Sequence, residues 1–483
     1  MTGIGTQARN DPDAVALIAP GASITFGEMD ERQRSLAGHL KSHGLKRGDR
    51  IAVFTANRVE SLEVTIGALR AGIVPVPINA LLTPPEVAYL IADSGARVLF
   101  TDRVVEPEAS LHAVITFGDA YERYIHEAKP ALIADVALGR PMHYTSGTTG
   151  APKGVWVEPT GEERAAELSE NFRALWDITA DDVHLVCSPL AHSAPHRFAL
   201  RTLEAGGRVV LQTKFSAAET LAAIELFGVT STFMVPTHLE RIFGLGRTAL
   251  ARHDASSIRL LAHAGAPIRH ATKEDALGFF PDGSVWEFYG STEGQATRIS
   301  TDEWRAKPGS VGRALPGGEI VIANDAGEEL PPGEVGWVWV CDPSGERFKY
   351  WGDKTKTRSA WSDDAFCVGD LGSLDEDGYL FLAGRGDDTI ITGGVNVYPM
   401  EVENVLTTHQ SVAAALVYGR PHDEWGHEVR ALVVPAFNQP LDAEMLRAWA
   451  RQQLAGFKCP RVIEIVDELP RTPTGKIRRR MAE

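Results

Sequence analysis

The chain has little that would tie it to a membrane, a nucleic acid or an oxidising compartment. Only four cysteines, Cys187, Cys341, Cys367 and Cys459, stand among 483 residues. Their wide spacing matches no zinc or redox motif and no disulfide framework. A reducing cytoplasm is therefore the expected setting. No apolar run approaches the roughly 20 residues of a membrane span, so an integral membrane protein is not expected. The first residues, Met1-Thr-Gly-Ile-Gly-Thr6, lack the charged and apolar regions of a signal peptide. Positive charge is also in deficit: 48 Lys and Arg face 64 Asp and Glu, a net charge of -16. Nucleic acid and anionic membranes repel such a chain unless a local basic patch intervenes. The one dense basic run, Arg471 to Arg480, reads as a solvated surface segment sooner than as a nucleic-acid tail. Internal repeats and low-complexity segments are missing too.

What is present is a globular composition, 44% hydrophobic and 23% charged. The length corresponds to about three domains. The first section alternates helix and strand patterns: helix Phe26 to Leu45, strand Arg50 to Thr55, helix Val59 to Ala71, strand Ile73 to Ile78, helix Glu86 to Ser94, strand Arg97 to Thr101. The alternation resumes with helices over Glu162 to Trp176 and Ala217 to Leu226. Strands fall at Val183 to Ser188, Arg208 to Gln212, Thr230 to Val235, Ile258 to Ala264 and Val285 to Tyr289. Such a pattern predicts a largely parallel sheet with helices on its faces and ligands beyond the carboxyl ends of the strands. From about Gly309 short strands separated by turns (Glu319 to Ala323, Gly336 to Cys341, Gly378 to Ala383) predict a small antiparallel or barrel-like subdomain. From Asp387 onward the chain reads as a compact α+β unit. The fold class is thus α/β: a large N-terminal domain over 1–385, a hinge at 386–387 and a small mobile α+β lid over 388–483.

The segment Tyr144-Thr-Ser-Gly-Thr-Thr-Gly-Ala-Pro-Lys-Gly154 packs glycines, hydroxyls and one lysine into eleven positions. Glycines let a backbone turn its N–H groups inward, and such a nest binds anions. Thr145, Ser146, Thr148 and Thr149 offer hydroxyls, Gly147 and Gly150 offer backbone freedom, and Lys153 adds a compact positive charge. The loop suits a polyphosphate. It is not a P-loop, because Lys153 leads into the strand-like Val155-Trp-Val157 and not into a helix. Tyr289-Gly290-Ser291-Thr292-Glu293-Gly294 follows an apolar strand and carries one carboxylate among small residues. One acid beside bound phosphates is what a Mg²⁺ site needs. Tyr289 offers a flat face for a purine. Near the C-terminus, Arg471-Thr-Pro-Thr-Gly-Lys476 can present Lys476 on a tight loop, where an ammonium eases the approach of two anions. For each stretch taken alone, a surface turn or a solvated side chain is the commoner outcome.

Together these stretches closely resemble the signatures of the adenylate-forming enzymes: acyl- and aryl-CoA ligases, luciferases and peptide-synthetase adenylation domains. The resemblance covers nearly the whole chain, with four motifs in the family's order. It implies ATP, Mg²⁺ and coenzyme A as partners, with a small carboxylic acid as substrate. It implies Glu293 for the metal, Thr292 for phosphate and Tyr289 for adenine stacking. Gly265 and Ala266, in His263-Ala-Gly-Ala-Pro267, border the adenine edge. Asp370 matches the ribose-binding acid and Arg385 a second ribose or phosphate contact. Val368 stands where a nucleotide-holding hydroxyl is common. Gly393 and Gly394 border the pantetheine tunnel, Asp387 sits at the hinge, and Lys476 serves adenylation. His192, in Pro189-Leu-Ala-His192, orients the substrate carboxylate or gates the acyl pocket, or else is a packed structural histidine. Metal ligation by His192 with His196 would need a helix, which Pro195 opposes. The reaction implied is acid and ATP to acyl-AMP, then thioester formation with coenzyme A. A carrier-protein thiol, a luciferase-like oxygenase, an enzyme specialised for one half-reaction, or a silent binding protein are the alternatives. Monomer and homodimer stay equally open.

Overall fold

The computed structural model describes residues 3–105, 111–145, 151–422, 424–436, 439–471 and 479. The chain divides into two compact units. The first comprises Met1–Ala266, Glu274–Gln295 and Ser344–Ser359; the second comprises Pro267–Lys273, Ala296–Pro343 and Ala360–Glu483.

The first unit is built on two parallel sheets. In the smaller one the strand Arg50–Thr55 is flanked by Val74–Asn79 and Val98–Thr101, with Ala113–Thr116 outermost, all parallel. Five of the six residues in Arg50–Thr55 are buried, as expected for a strand covered on both faces. Its covering helices start where local chemistry dictates. Thr25 caps Phe26–Ser42 in a capping box with Glu28. Thr83 precedes Pro84–Ser94, where proline at the first turn needs no N–H partner and Gly95 ends the helix at φ 61.

The larger sheet runs Val285–Glu287, Leu260–His263, Ser231–Met234, Val183–Val186, Arg208–Leu211, Val15–Ala19, Ala22–Thr25. All neighbours are parallel except the last pair. The chain leaves Val183–Val186 to one side, at Arg208–Leu211, and returns to the other, at Ser231–Met234. That reversal makes a crevice beyond the carboxyl end of the central strand. The helix Ser193–Ala205 follows this strand. Pro195 lies in its first turn, where the missing N–H breaks no helical bond, so the expectation that Pro195 opposes a helix here is corrected. An aromatic cluster of Phe172, Trp176, Phe198, Phe233 and Phe288 packs this helix against the sheet, with ring centroids 5.2–6.5 Å apart.

A third, three-stranded antiparallel sheet joins His143–Thr145, Lys153–Trp156 and Lys349–Tyr350. It carries the glycine- and hydroxyl-rich segment.

The second unit contains the antiparallel sheet expected after Gly309, with Glu319–Ala323, Gly336–Cys341, Asp370–Leu374 and Leu380–Arg385 among its strands. It also contains the α+β portion, where the strands Val412–His422 and Gly426–Pro435 pair antiparallel and Val462–Ile465 adds in parallel. The helices Pro399–Thr408 and Ala443–Gln453 cover that sheet over a core including Val402, Leu406, Val417, Val429, Val433, Leu446 and Ala450.

Candidate active site

Thr145 and Lys153 are directly opposed partners in the antiparallel pair His143–Thr145 and Lys153–Trp156. Residues 146–150, with Ser146, Gly147, Thr148, Thr149 and Gly150, lie outside the described residues. The strands that flank them, His143–Thr145 and Lys153–Trp156, form an antiparallel hairpin pair. Its base is fixed by side chains: Tyr144 donates to Asp93 at 2.7 Å and Tyr89 donates to the Pro152 carbonyl at 3.1 Å. Lys153 Nζ stands 3.8 Å from Asp353, both side chains partly exposed.

The second stretch is brought to the same sheet. Glu293 is 7% exposed, and its Oε1 accepts a 2.7 Å hydrogen bond from the Tyr350 hydroxyl. Tyr350 is opposite Val155 on the hairpin's second strand. From the other side, Arg140 donates to the carbonyls of Thr292 at 3.2 Å and Glu293 at 3.0 Å. Arg140 lies three residues before the hairpin's first strand. The loop itself is tight: Ser291 N donates to Gly294 O at 2.8 Å, and a Cβ on Gly290 would meet Gln295 Cα and Gly294 O at 2.9 Å. Glycine is required there by close backbone approach. Hairpin and acidic loop are thus held together by two residues that sequence reading passed over. Tyr350 and Arg140 act across separations of 57 and 152–153 residues, and no local pattern signals either.

The donor set fits a hard cation. A carboxylate has about four acceptor positions, and the Tyr350 hydroxyl occupies one. Mg²⁺ asks for one or two carboxylates and takes its other ligands from phosphate and water. Among the described residues there is no group of three or more His, Cys, Asp or Glu side chains arranged for a metal, so they hold no dedicated protein cage. His196 is 2% exposed, whereas His192, the residue preceding the helix, is exposed.

The other first-unit candidates sit beyond the carboxyl ends of strands of the larger sheet. His192 follows Val183–Val186, Gly265 and Ala266 follow Leu260–His263, and Tyr289 follows Val285–Glu287. Gly265 has φ 91, a conformation that only glycine adopts readily, and both it and Ala266 are exposed. The turn before His192 is anchored by buried Asn57, whose amide donates to Ser188 O and Gln212 O and whose Oδ1 accepts from Leu190 N, at 2.8–3.0 Å.

In the second unit Asp370 and Arg385 face each other across paired strands, with Arg385 Nε 2.8 Å from Asp370 Oδ1. Arg385 also donates to the Val368 carbonyl at 2.5 Å. Gly393 and Gly394, at φ 57 and 78, form the two-residue turn between Ile390–Thr392 and Val395–Val397. Two positive φ angles are the signature of a type I′ hairpin. Asp387 lies in the short helix Gly386–Asp388. Lys476 lies outside the described residues.

A family model described as AMP-binding enzyme matches residues 4–347, and one described as AMP-binding enzyme C-terminal domain matches 401–476. A fatty acid–[acyl-carrier-protein] ligase of Streptomyces coeruleorubidus is 34% identical over 98% of this chain and 94% of its own length. A feruloyl-CoA synthase of an Amycolatopsis species is 35% identical over 98% of this chain and 96% of its own. Among solved structures, o-succinylbenzoate CoA synthetase from Bacillus subtilis in complex with its acyl-adenylate intermediate superposes with a TM-score of 0.87. It is 28% identical and covers 100% of this chain and 98% of its own. The same synthetase with ATP and magnesium ion gives 0.85 at 29% identity, covering 99% and 98%. The chain belongs to the AMP-binding enzyme family, the adenylate-forming enzymes that its hairpin, its acidic loop and its C-terminal lysine stretch resemble.

Proposed function

We propose that this chain activates a carboxylic acid with ATP and transfers the acyl group to the thiol of coenzyme A. In the first step a carboxylate oxygen bonds to the α-phosphorus, the bond to the β-phosphate breaks, and pyrophosphate leaves. The acid is now a mixed anhydride with a good leaving group. In the second step the thiolate sulfur adds to the acyl carbonyl, the bond to AMP breaks, and the thiol proton passes to solvent. The Tyr350–Glu293 hydrogen bond carries the reading, because it joins the hairpin sheet to the one buried acid of the second loop.

Lys153 and the hairpin hydroxyls hold the triphosphate. The present Lys153–Asp353 contact is a partly exposed ion pair, worth about 0–1 kcal/mol, so exchanging it for a phosphate costs little. Glu293 is positioned to ligate Mg²⁺, which when bound neutralises the departing pyrophosphate. Tyr289 stacks on the adenine, Gly265 and Ala266 border its edge, and Asp370 with Arg385 takes the ribose. His192 orients the acid. Lys476 neutralises the approach of carboxylate to α-phosphate. Residues 386–387 act as the hinge between 1–385 and 388–483; the gap between the two matched family models contains them. Gly393 and Gly394 then border the pantetheine path. Phe457, 46% exposed, is the aromatic side chain better placed for the coenzyme A adenine. Trp425 is already stacked on His422 at 4.2 Å and covered by Arg461 at 3.3 Å.

Acid-dependent exchange of pyrophosphate into ATP tests the first step, and coenzyme A-dependent release of AMP tests the second. Absence of both with a broad acid panel would overturn the reading. A second thiol acceptor, a carrier protein, is favoured by the 34% identity to a carrier-protein ligase. Acylation of a phosphopantetheinylated carrier faster than of coenzyme A would select it.

A further inference from the structure

Two rings from different loops meet beyond the carboxyl end of the strand Val183–Val186. Phe215 comes from the loop after Arg208–Leu211, and His238 from the first turn of the helix Pro236–Phe243, which follows Ser231–Met234. Those two strands flank Val183–Val186 on its two sides. The ring centroids are 3.9 Å apart and the planes are 7° from parallel. His238 is 8% exposed, and its Nδ1 stands 3.4 Å from the hydroxyl of Ser188, two residues past the central strand. The stack and this contact therefore span the carboxyl ends of three adjacent strands, at the reversal of the sheet where a ligand is expected.

Both rings are held in place. Ser188 donates to the Phe233 carbonyl at 3.3 Å, so its oxygen accepts from the Nδ1–H of His238. Burial, with Arg241 nearby, pushes His238 down to about 4, so the ring is neutral at working pH. The loop of Phe215 is anchored on both sides. Before it, the Gln212 carbonyl accepts from Asn57 at 3.0 Å and the Gln212 side chain accepts from Thr220 at 2.9 Å. After it, Ser216 caps the helix Ala217–Phe227 by accepting from Glu219 N. The same Asn57 amide donates to Ser188 O at 2.9 Å, which ties the Phe215 loop to the turn that holds His238. Carbon atoms in contact are about 3.5–4.0 Å apart, so a polymethylene chain between two rings needs about 7–8 Å. Rings at 3.9 Å leave no such passage between them.

The proposed adenine contacts, Tyr289 and Gly265, follow Val285–Glu287 and Leu260–His263 toward one edge of this sheet, whereas His192 follows Val183–Val186. An acid oriented by His192 and joined to the nucleotide thus has its acyl end among the loops that carry Phe215 and His238. We propose that the Phe215–His238 stack is the wall that ends the acyl site and sets the longest acid the chain accepts. The inference rests on the ligase reading above, which supplies the acid.

The test uses the full chain with straight-chain acids from butanoate to hexadecanoate. Calorimetry gives Kd for each acid, and coenzyme A-dependent AMP release gives kcat and KM. The unaltered protein is expected to show a length beyond which Kd and KM rise steeply. Phe215→Ala is expected to move that limit to longer acids, raising kcat/KM at least about tenfold for the first acid that the unaltered protein excludes. His238→Ala is expected to move it in the same direction, and Phe215→Trp to move it to shorter acids. Phe215→Leu, a smaller truncation, is expected to move it less and keeps the test open should Phe215→Ala not fold. No limit in the unaltered protein, a limit unmoved in folded Phe215→Leu and Phe215→Trp, or a loss by the same factor at every length would overturn the proposal. A limit in Kd that moves with Phe215, in protein that releases no AMP with any acid, would leave the wall standing and remove the ligase reading.

Discussion

Glu293 illustrates how neighbours orient the side chain proposed to hold the metal. Its residue type and its company of small residues were legible in the sequence, and the stretch gained meaning only beside the glycine- and hydroxyl-rich segment before Lys153. Its orientation was not legible. The Tyr350 hydroxyl donates to it from a strand 57 residues away, and Arg140 donates to the successive carbonyls of Thr292 and Glu293. Such contacts follow from the sheet that joins Lys349–Tyr350 to Lys153–Trp156, and no short-range pattern carries them. A hydrogen bond to a charged group is worth about 1.5–3 kcal/mol. Tyr350→Phe should therefore raise the Mg²⁺ concentration needed for half-maximal pyrophosphate exchange by about tenfold, with the fold unchanged by circular dichroism. An unchanged Mg²⁺ requirement would show that the phenol does not position this acid.

At the scale of elements, the alternation of apolar runs and amphipathic segments placed most strands of the two parallel sheets to within a few residues, but it passed over Val15–Ala19, Ala22–Thr25 and Ala113–Thr116. Arg50–Thr55 and the helix Glu162–Trp176 lie where the pattern puts them, because hydrophobic period and flanking caps agree there. The helix Ser193–Ala205 was the opposite case. Pro195 and two histidines hid it, yet a proline in the first turn costs no hydrogen bond, and His196 is buried. The turn at Gly393–Gly394 is another element whose sequence is its explanation, since both positions have positive φ. A Cβ on Gly394 meets nothing within 4 Å, so a substitution there acts through the backbone alone. Gly394→Val should cost about 1–2 kcal/mol in that turn. If the turn borders the thiol path, coenzyme A-dependent AMP release should fall by about tenfold or more while pyrophosphate exchange falls by less than about threefold. Equal loss of both steps would remove the turn from the second step.

For the whole molecule, two properties join distant parts. The first is the set of buried histidines in the first unit. Burial holds His184 and His238 at about 4 and His196 at about 3, below an ordinary value of 6.5. Folded protein resists protonating them, whereas unfolded chain binds those protons below pH 6.5. The stability they allow is complete above pH 6.5 and is lost as pH falls toward the folded values. Each contributes at most about 1.4 kcal/mol per pH unit in that window. The urea midpoint should thus drop measurably between pH 7.5 and 5.5, before most carboxylates titrate. A flat midpoint over that range would contradict the burial.

The second is the division of labour that the proposed function implies along the chain. Lys476 lies far in sequence from the hairpin and the acidic loop, and its role is assigned to the first step only. Lys476→Ala should lower pyrophosphate exchange by about a hundredfold or more while sparing thioester formation from supplied acyl-AMP. Loss of both together would contradict that assignment.

The central claim is that a carboxylate oxygen attacks the α-phosphorus of ATP. Isotope transfer measures this directly. With a carboxylic acid labelled with ¹⁸O in its carboxylate, incubated with ATP, Mg²⁺, coenzyme A and the full chain, mass spectrometry should find one labelled oxygen in the AMP and none in pyrophosphate. Label in orthophosphate with ADP as the nucleotide product, or unlabelled AMP accompanying thioester, would contradict it.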